Sequence, residues 1–452
     1  MSIRCLVPAS LILLAACSHE SASRPGTGGT SQSGGYSVGG SLGVGGTATN
    51  PGAGGGIAPS GGASGAATGV GGTVNGDASF DGGAEPDSLL AAGGFPGVGG
   101  SGTGGAAGGS GGSTSTNPSV KSLALGSTHA CALLDDGTVR CWGDNRGPPN
   151  SRKLGGSSTA ASSSIPLKVS DLTTAVGITA ASNHTVALLK DGTMKYWGIV
   201  DEYDSVFASE LQADAAEARN IVGITAGGLM SYCLFLADGM VRCDDYFLSA
   251  LGPMNAVAVA IGNYHLCLLQ DGTVQCAGAN TDGELGDGTT TDSDVPVTVA
   301  NLTDVVAISA GYYHTCAVLT GGAVKCWGGN DFGQLGNGST TPSPVPVAVS
   351  TITNAVAVVG GGVHTCAVLT DGTVRCWGDN RNGQLGDGTT VDSSVPVTVR
   401  NIASPAAVVA GGSSTCAVLS DRTATCWGGN GYGQLGDGTT SDSPVPLAVK
   451  GL

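Results

Sequence analysis

The chain has 452 residues, with 18 basic against 34 acidic side chains, a net charge of −16, 80 glycines and 14 cysteines. Such an acidic surface repels phosphate backbones, which argues against a nucleic-acid partner. Beyond the first residues no stretch is long and apolar enough for a transmembrane helix.

Residues 1–16, MSIRCLVPASLILLAA, set one Arg ahead of an apolar run that ends in small residues. This is the plan of a secretory signal too short to stay as a span. Its end, Leu14-Ala15-Ala16-Cys17, resembles the lipobox of bacterial lipoproteins. The resemblance implies lipidation of Cys17, and Ser18 after it implies delivery to an outer membrane; cleavage by ordinary signal peptidase is the alternative. From 17 to 118 the chain is Gly, Ser, Ala and Thr with scattered Pro. It holds too little apolar surface to offset the entropy of ordering, so a disordered tether is expected. A Gly-rich coil of that length spans roughly 50–60 Å on average.

From 119 to 452 one unit recurs. YYHTCAVLTGGAVKCWGGNDFGQLGNGSTT, GVHTCAVLTDGTVRCWGDNRNGQLGDGTT and GSSTCAVLSDRTATCWGGNGYGQLGDGTT align almost without gaps. Their first cysteines are Cys316, Cys366 and Cys416, and the same frame catches Cys267, Cys233, Val186 and Cys131, which makes seven units. Each reads as four short strands, VPVTV-like, VVAISAG-like, HTCAVL and TVRCWG, with period-2 patterning and Gly, Asn or Asp turns. Four-strand units repeated at this period predict an all-β, seven-bladed propeller, in which stacked neighbours bury faces no unit buries alone. The first unit starts at SVKSLALG without a VPVTV-like strand and the chain ends on an extra one, SPVPLAVKGL. Closure of the ring by that C-terminal strand, completing the first blade, is therefore expected.

The pattern GG-x-x-H-T-C-A-V-L-x-D-G-T-V-x-C-W-G-x-N-x-x-G-Q-L-G-D-G-T resembles the regulator of chromosome condensation repeat, whose members fold as seven-bladed propellers and mostly bind proteins; relatives include a secreted inhibitor of β-lactamases. Units two and three depart from it, with irregular insertions at 144–166 and 198–219, and the GQLGDGT segment is missing between units three and four. The family's nucleotide exchange on a nuclear GTPase is not carried over, since this chain reads as exported and acidic.

Without Cys5 and Cys17, twelve cysteines remain as local pairs: Cys131/Cys141, Cys233/Cys243, Cys267/Cys276, Cys316/Cys326, Cys366/Cys376 and Cys416/Cys426. Five are centred on a three-residue hairpin loop such as Thr370-Asp371-Gly372; the sixth has one residue fewer and the two-residue loop Asp271-Gly272. Each pair then faces across its hairpin, within disulfide range. Unit two has lost both members together, to Val186 and Tyr196. Zinc is the rival, but a ligand pair needs a second pair nearby.

His129, His184, His265, His314 and His364 hold one equivalent position, filled by Ser231 and Ser414 in the other units. A scaffold role, bonding a neighbouring blade's backbone, is expected over a metal ring; Trp142, Trp197, Trp327, Trp377 and Trp427 read as blade packing. Asn280, Asp282, Asp287 and Asp292 have a calcium-loop flavour but lack its oxygen spacing and terminal Glu, so no metal and no cofactor is expected.

Antiparallel order sends the DG turns to one face of the ring and the GG-x-x-H turns with the GQLGDGT connections to the other. The second face varies most and holds Tyr264, Tyr312, Tyr313, Phe332 and Tyr432, the residue types that anchor interfaces. The expected function is a protein-binding module, monomeric, touching the membrane only through its lipid, at the outer membrane or cell surface and outside the cytoplasm. The alternatives are a structural or adhesive envelope lipoprotein and, from a different class, a carbohydrate-active enzyme with acids in the propeller mouth. No catalytic motif appears, so an enzyme is not the expected reading.

Overall fold

The computed structural model describes residues 118–146, 152–198, 220–228, 231–244, 254–402 and 404–452, all within the compact unit Ser88–Leu452. The leader, Cys17 and the tether up to residue 117 lie outside them. No described residue is α-helical. The strands form seven antiparallel sheets, six of four strands and one of three.

Blade six shows the plan. Its strands are Ala355–Gly360, His364–Leu369, Val374–Gly378 and Ser393–Thr398, each paired with the next in sequence. The second strand, HTCAVL, is buried along its whole length, because a neighbouring blade covers each face of the sheet. The fourth, SSVPVT, is half-exposed at the rim. Proline suits that outer edge, where Pro166, Pro296, Pro346, Pro396 and Pro446 remove a donor that would otherwise invite another strand.

Core lies between blades rather than within them. Val120, Leu123 and Trp142 of blade one pack on Val418, Ala424 and Leu435 of blade seven. Corresponding clusters join blades one and two, two and three, three and four, four and five, five and six, and six and seven. The ring is therefore closed.

Closure differs from the sequence expectation. The C-terminal strand Ser443–Ala448 pairs with Ala424–Gly428 of its own unit, Leu447 opposite Cys426. Blade one completes itself with Ser162–Lys168. The cause is the compact loop before the fourth strand, knotted by one buried Asn in blades one and four to seven. In blade seven Asn430 Oδ1 accepts Leu435 N at 3.0 Å while Nδ2 donates to Thr439 O and Ser441 O at 3.3 and 2.9 Å. The loop thereby returns the chain beside the strand it just left. Contacts shared with other interfaces shut the ring: Trp142 Nε1 donates to Gln434 O at 2.8 Å and Gly438 N to Ser164 O at 2.9 Å.

The irregular units are placed as well. Blade two shows three described strands, and its remaining stretch, 199–219, is outside the described residues. Blade three keeps a fourth strand of two residues, Met254–Asn255. In blade one the insertion hides a normal loop: Asn145 Oδ1 accepts Leu154 N at 3.1 Å, so Lys153-Leu154-Gly155 stands where blades five to seven have Gln-Leu-Gly.

All six cysteine pairs are bonded disulfides: Cys131–Cys141, Cys233–Cys243, Cys267–Cys276, Cys316–Cys326, Cys366–Cys376 and Cys416–Cys426. Their Cα atoms stand 4.0–4.1 Å apart. That is tighter than the range of about 4.4–6.8 Å usual for disulfides and suits the closely spaced, non-hydrogen-bonded positions of an antiparallel ladder. Cys267 and Cys276 face each other across the shortened hairpin, whose Asp271 and Gly272 both have positive φ, 50° and 75°, as a two-residue turn requires.

The pairs differ in how their second member is covered, which the uniform spacing did not suggest. Cys141 and Cys326 are fully buried, because the fourth strand sets Leu167 opposite one and Val347 opposite the other. Cys243 is half-buried. The two-residue fourth strand of blade three reaches only Met240 and Val241, so among the described residues no fourth-strand partner lies opposite Cys243.

Candidate functional site

The first strand of every blade lines the axis, enclosing a cavity of about 150 Å³. At one end the turns between first and second strands are laced by backbone bonds running from each blade to the next. Ser127 N donates to Ser182 O, Ser182 N to Gly228 O, Asn263 N to Tyr312 O and Tyr312 N to Gly362 O, at 3.0–3.2 Å. The long third-to-fourth connections share this end, since Ala279 N, Gly329 N and Asp379 N donate back to Tyr264 O, Tyr313 O and Val363 O. The DG turns lie at the other end, where Val305 N and Ala355 N donate to Gly272 O and Gly322 O. The two faces are those expected from strand order.

Behind the loop face the histidines form inter-blade ties. His129, His265, His314 and His364 place Nε2 2.8–2.9 Å from Oγ1 of Thr185, Thr315, Thr365 and Thr415 in the following blade. The partner is thus a side chain, where the sequence suggested backbone. Thr365 and Thr415 spend their own hydrogens on Gln334 O and Gln384 O, at 2.9 and 3.0 Å. Nε2 of His314 and His364 must therefore be the donor, leaving a buried Nδ1 without a partner. Burial holds all five imidazoles neutral, with pKa lowered to about 3 at His129 and His314 and about 4 at His184, His265 and His364. The glycine three residues ahead of the His makes room for the ring: a Cβ on Gly311 would stand 2.1 Å from His314 Cε1.

The tryptophans extend the tie. Trp327, Trp377 and Trp427 donate Nε1 to Glu284 O, Gln334 O and Gln384 O of the preceding blade at 2.8–2.9 Å. The glycine two residues further, such as Gly336 with φ 68°, lies under the indole, and a Cβ there would be 2.7 Å from Trp377 Nε1. The G-Q-L-G of one blade and the W of the next are one device.

The acids of the loop at 280–292 serve the loop itself. Asp292 Oδ1 accepts Asn280 N at 2.8 Å, Asp287 Oδ1 accepts Thr289 N at 2.9 Å, and Glu284 Oε2 accepts Asp282 N at 2.9 Å. In blade one, burial opposes ionisation of Asp144, yet hydrogen bonds from Arg146 and Lys153 hold its carboxyl down to about 2. Among the described residues no group of three or more His, Cys, Asp or Glu is placed to hold a metal ion. Lys121 is the one charged side chain among the described residues lining the cavity.

The five aromatics of the expected binding face divide. Tyr264 and Tyr313, on adjacent blades, are 43% and 38% exposed. Tyr312 turns inward, crossing the axis to hydrogen-bond the Ser127 hydroxyl of blade one. Phe332 and Tyr432 are half-buried beneath the guanidinium groups of Arg381 and Arg146, each 4.4 Å from the ring centroid. Those cations are in turn fixed by Asp379 and Asp144 at 2.7 and 2.8 Å. Sequence order alone did not reveal these caps; Asp-Asn-Arg after the Trp-Gly of blades one and six was the available signal.

Patterns of the regulator of chromosome condensation (RCC1) repeat match residues 120–146, 256–284, 305–334, 355–384 and 406–434, and a second form matches 271–318, 322–368 and 371–419. Similar proteins include the ultraviolet-B receptor UVR8 of Arabidopsis thaliana, 34% identical over 227 residues, covering 44% of this chain and 50% of the receptor. The mitochondrial RCC1 domain-containing protein RUG3 of the same plant is 26% identical over 238 residues, 51% of this chain and 46% of its own length. The human E3 ubiquitin-protein ligase HERC2 is 28% identical over 197 residues, 42% of this chain but 3% of the ligase. The chain thus spans half or less of each of these relatives. Among solved structures it is similar to Prp20p of Saccharomyces cerevisiae, at 20% identity, TM-score 0.49, and coverage of 74% of this chain and 77% of that one. The chain thus carries regulator of chromosome condensation repeats, matched in blade one and in blades four to seven.

Proposed function

We propose that this propeller is a protein-binding module, held at an extracytoplasmic membrane surface by a lipid on Cys17 and spaced from it by the tether at 17–118. The observation that carries the reading is the pair Tyr264 and Tyr313, left exposed on neighbouring blades of the loop face while the other aromatics of that face are consumed by internal contacts. Large amphipathic rings on a rigid scaffold make interface anchors at low entropic cost. Exposed Asp292, Asp331, Asp392 and Asp442 lie in the third-to-fourth connections of the same face, which suits a partner with a basic rim.

The test is affinity capture from envelope extracts on the full chain, beside the double variant Tyr264→Ser with Tyr313→Ser and a Cys17→Ser chain. A specific partner should be retained by the native face and weakened at least about tenfold by the double variant. Metabolic lipid labelling should disappear with Cys17→Ser. Equal recovery on native and double-variant faces refutes the assignment of the surface.

A further inference from the structure

A second site opens on the opposite face. In six blades the first strand carries a register shift one residue in from its start, so that one extra residue is extruded: Lys121, Val176, Val222, Val306, Val356 and Ala406. Val257 precedes the shorter first strand of blade four at the corresponding level. Bulges of this kind re-aim side chains at the rims of closed sheets. Of these residues Lys121 and Val176 line the axial cavity, while Val257, Val306 and Val356 are 69%, 57% and 49% exposed at the same level of their blades. At the far end Tyr312 bars the axis through its bond to Ser127, which lies on a blade across the ring.

The cavity is lined by Lys121 and Val176 from the DG end and by Tyr312 from the loop end. Its volume of about 150 Å³ equals that of an engineered apolar cavity known to take up benzene. Lys121, exposed at the rim, makes no ion pair or hydrogen bond among the described residues, and no carboxylate lines the cavity. We infer that the axial cavity binds a small carboxylate with an apolar body of about one aromatic ring, the body entering past Val176 and the carboxylate resting on Lys121. The site is distinct from the Tyr264/Tyr313 face and does not depend on it.

The probes are 3-phenylpropionate and its neutral amide, titrated into the full chain by calorimetry and by ligand-observed NMR. The carboxylate should bind saturably in the millimolar range or tighter and about 5-fold or more above the amide, with the preference shrinking in high salt. Lys121→Gln, a surface change that leaves the core intact, should bring carboxylate and amide to parity while amide binding persists. Ala310→Phe, which fills the cavity from the first strand of blade five, should abolish both, with the near-UV spectrum and melting temperature reporting that the ring is intact. Absence of saturable binding by either probe up to about 10 mM overturns the inference. So does carboxylate binding that is indifferent to Lys121→Gln, or binding by a folded Ala310→Phe chain equal to that of the native protein.

Discussion

Acid should loosen this ring well before its carboxylates titrate. Five imidazoles are buried and neutral, with folded pKa about 3–4 against an ordinary 6.5. Because the folded value is depressed, the unfolded chain takes up the proton first as pH falls. The stabilisation is complete above about 6.5, drains as pH drops below it, and stops changing only below the folded value. Between pH 8 and pH 5 each imidazole costs about 2 kcal/mol, and five together about 10 kcal/mol, comparable with the whole stability of a typical domain. The depressed carboxyls, Asp144 at about 2 among them, lose their contribution only below about pH 4. The useful perturbation copies the protein's own alternative, since the seventh-to-first interface has Ser414 and Ala130 where others have His and Thr. His314→Ser with Thr365→Ala should cost about 2–3 kcal/mol at pH 8, from two lost hydrogen bonds, His314 to Thr365 and Thr365 to Gln334 O, and a small cavity. It should remove about 2 kcal/mol of the loss between pH 8 and pH 5. Urea unfolding followed by the fluorescence of the buried tryptophans reads this as a narrowing of the midpoint difference by about 0.7 M, for a slope near 3 kcal/mol/M. If the variant loses as much stability between the two pH values as the native chain does, the histidines are not what acid attacks.

The clasp between blades is tested by Gly336→Ala, which places a methyl 2.7 Å from Trp377 Nε1 at a positive φ and should cost at least about 2–3 kcal/mol in denaturant midpoint. Gly431→Ala, with nothing within 4 Å of its Cβ, should stay within about 0.5 kcal/mol of native. Replacing Cys366 and Cys376 together by Val and Tyr, the pair blade two carries, should lower stability by about 2–3 kcal/mol. Alkylation of the unreduced native chain should then find none of the twelve propeller cysteines free, and under graded reduction the half-buried Cys243 should be alkylated before the buried Cys141 and Cys326. Burial pushes the Glu284 carboxyl up, so Glu284→Gln, which keeps the acceptor for Asp282 N, should raise the unfolding free energy at pH 7 by no more than about 1 kcal/mol, read by urea unfolding.

Sequence was most informative where two residues changed together. The shortened hairpin at Asp271-Gly272 and the joint loss of the pair at Val186 and Tyr196 both pointed to the cross-strand register that the structure shows. The phase of the blade was not legible, because a string of repeats can be cut before any strand; the knot at Asn430 decides it, and a buried Asn looks like any turn residue in one dimension. Contacts between consecutive units were harder still. Each Thr that meets a His does so with the His of the preceding blade, and Trp327, Trp377 and Trp427 bond the preceding blade's loop, about 50 residues away in each case, so neither is a local motif. A sharper reading was available: the unit with Ser231 is followed by one with Leu266, the unit with Ser414 meets one with Ala130, and Ala277 replaces Trp after the unit that lacks Gly-Gln-Leu-Gly. The fates of Phe332 and Tyr432 depended on an arginine in the following blade, which face counting does not see.

A ring whose closing strand stays at home has no privileged seam. In the six four-stranded sheets each stretch from first strand to fourth is a whole blade, and the last meets the first through the same indole and backbone bonds used elsewhere. Circular permutation is the consequence. Joining residue 452 to 118 by a short linker and reopening the chain at 350–354 severs no sheet, and duplicating or deleting one unit changes the number of staves without leaving a half-made one. The same modularity lets blades two and three drift as far as they have while their neighbours keep register.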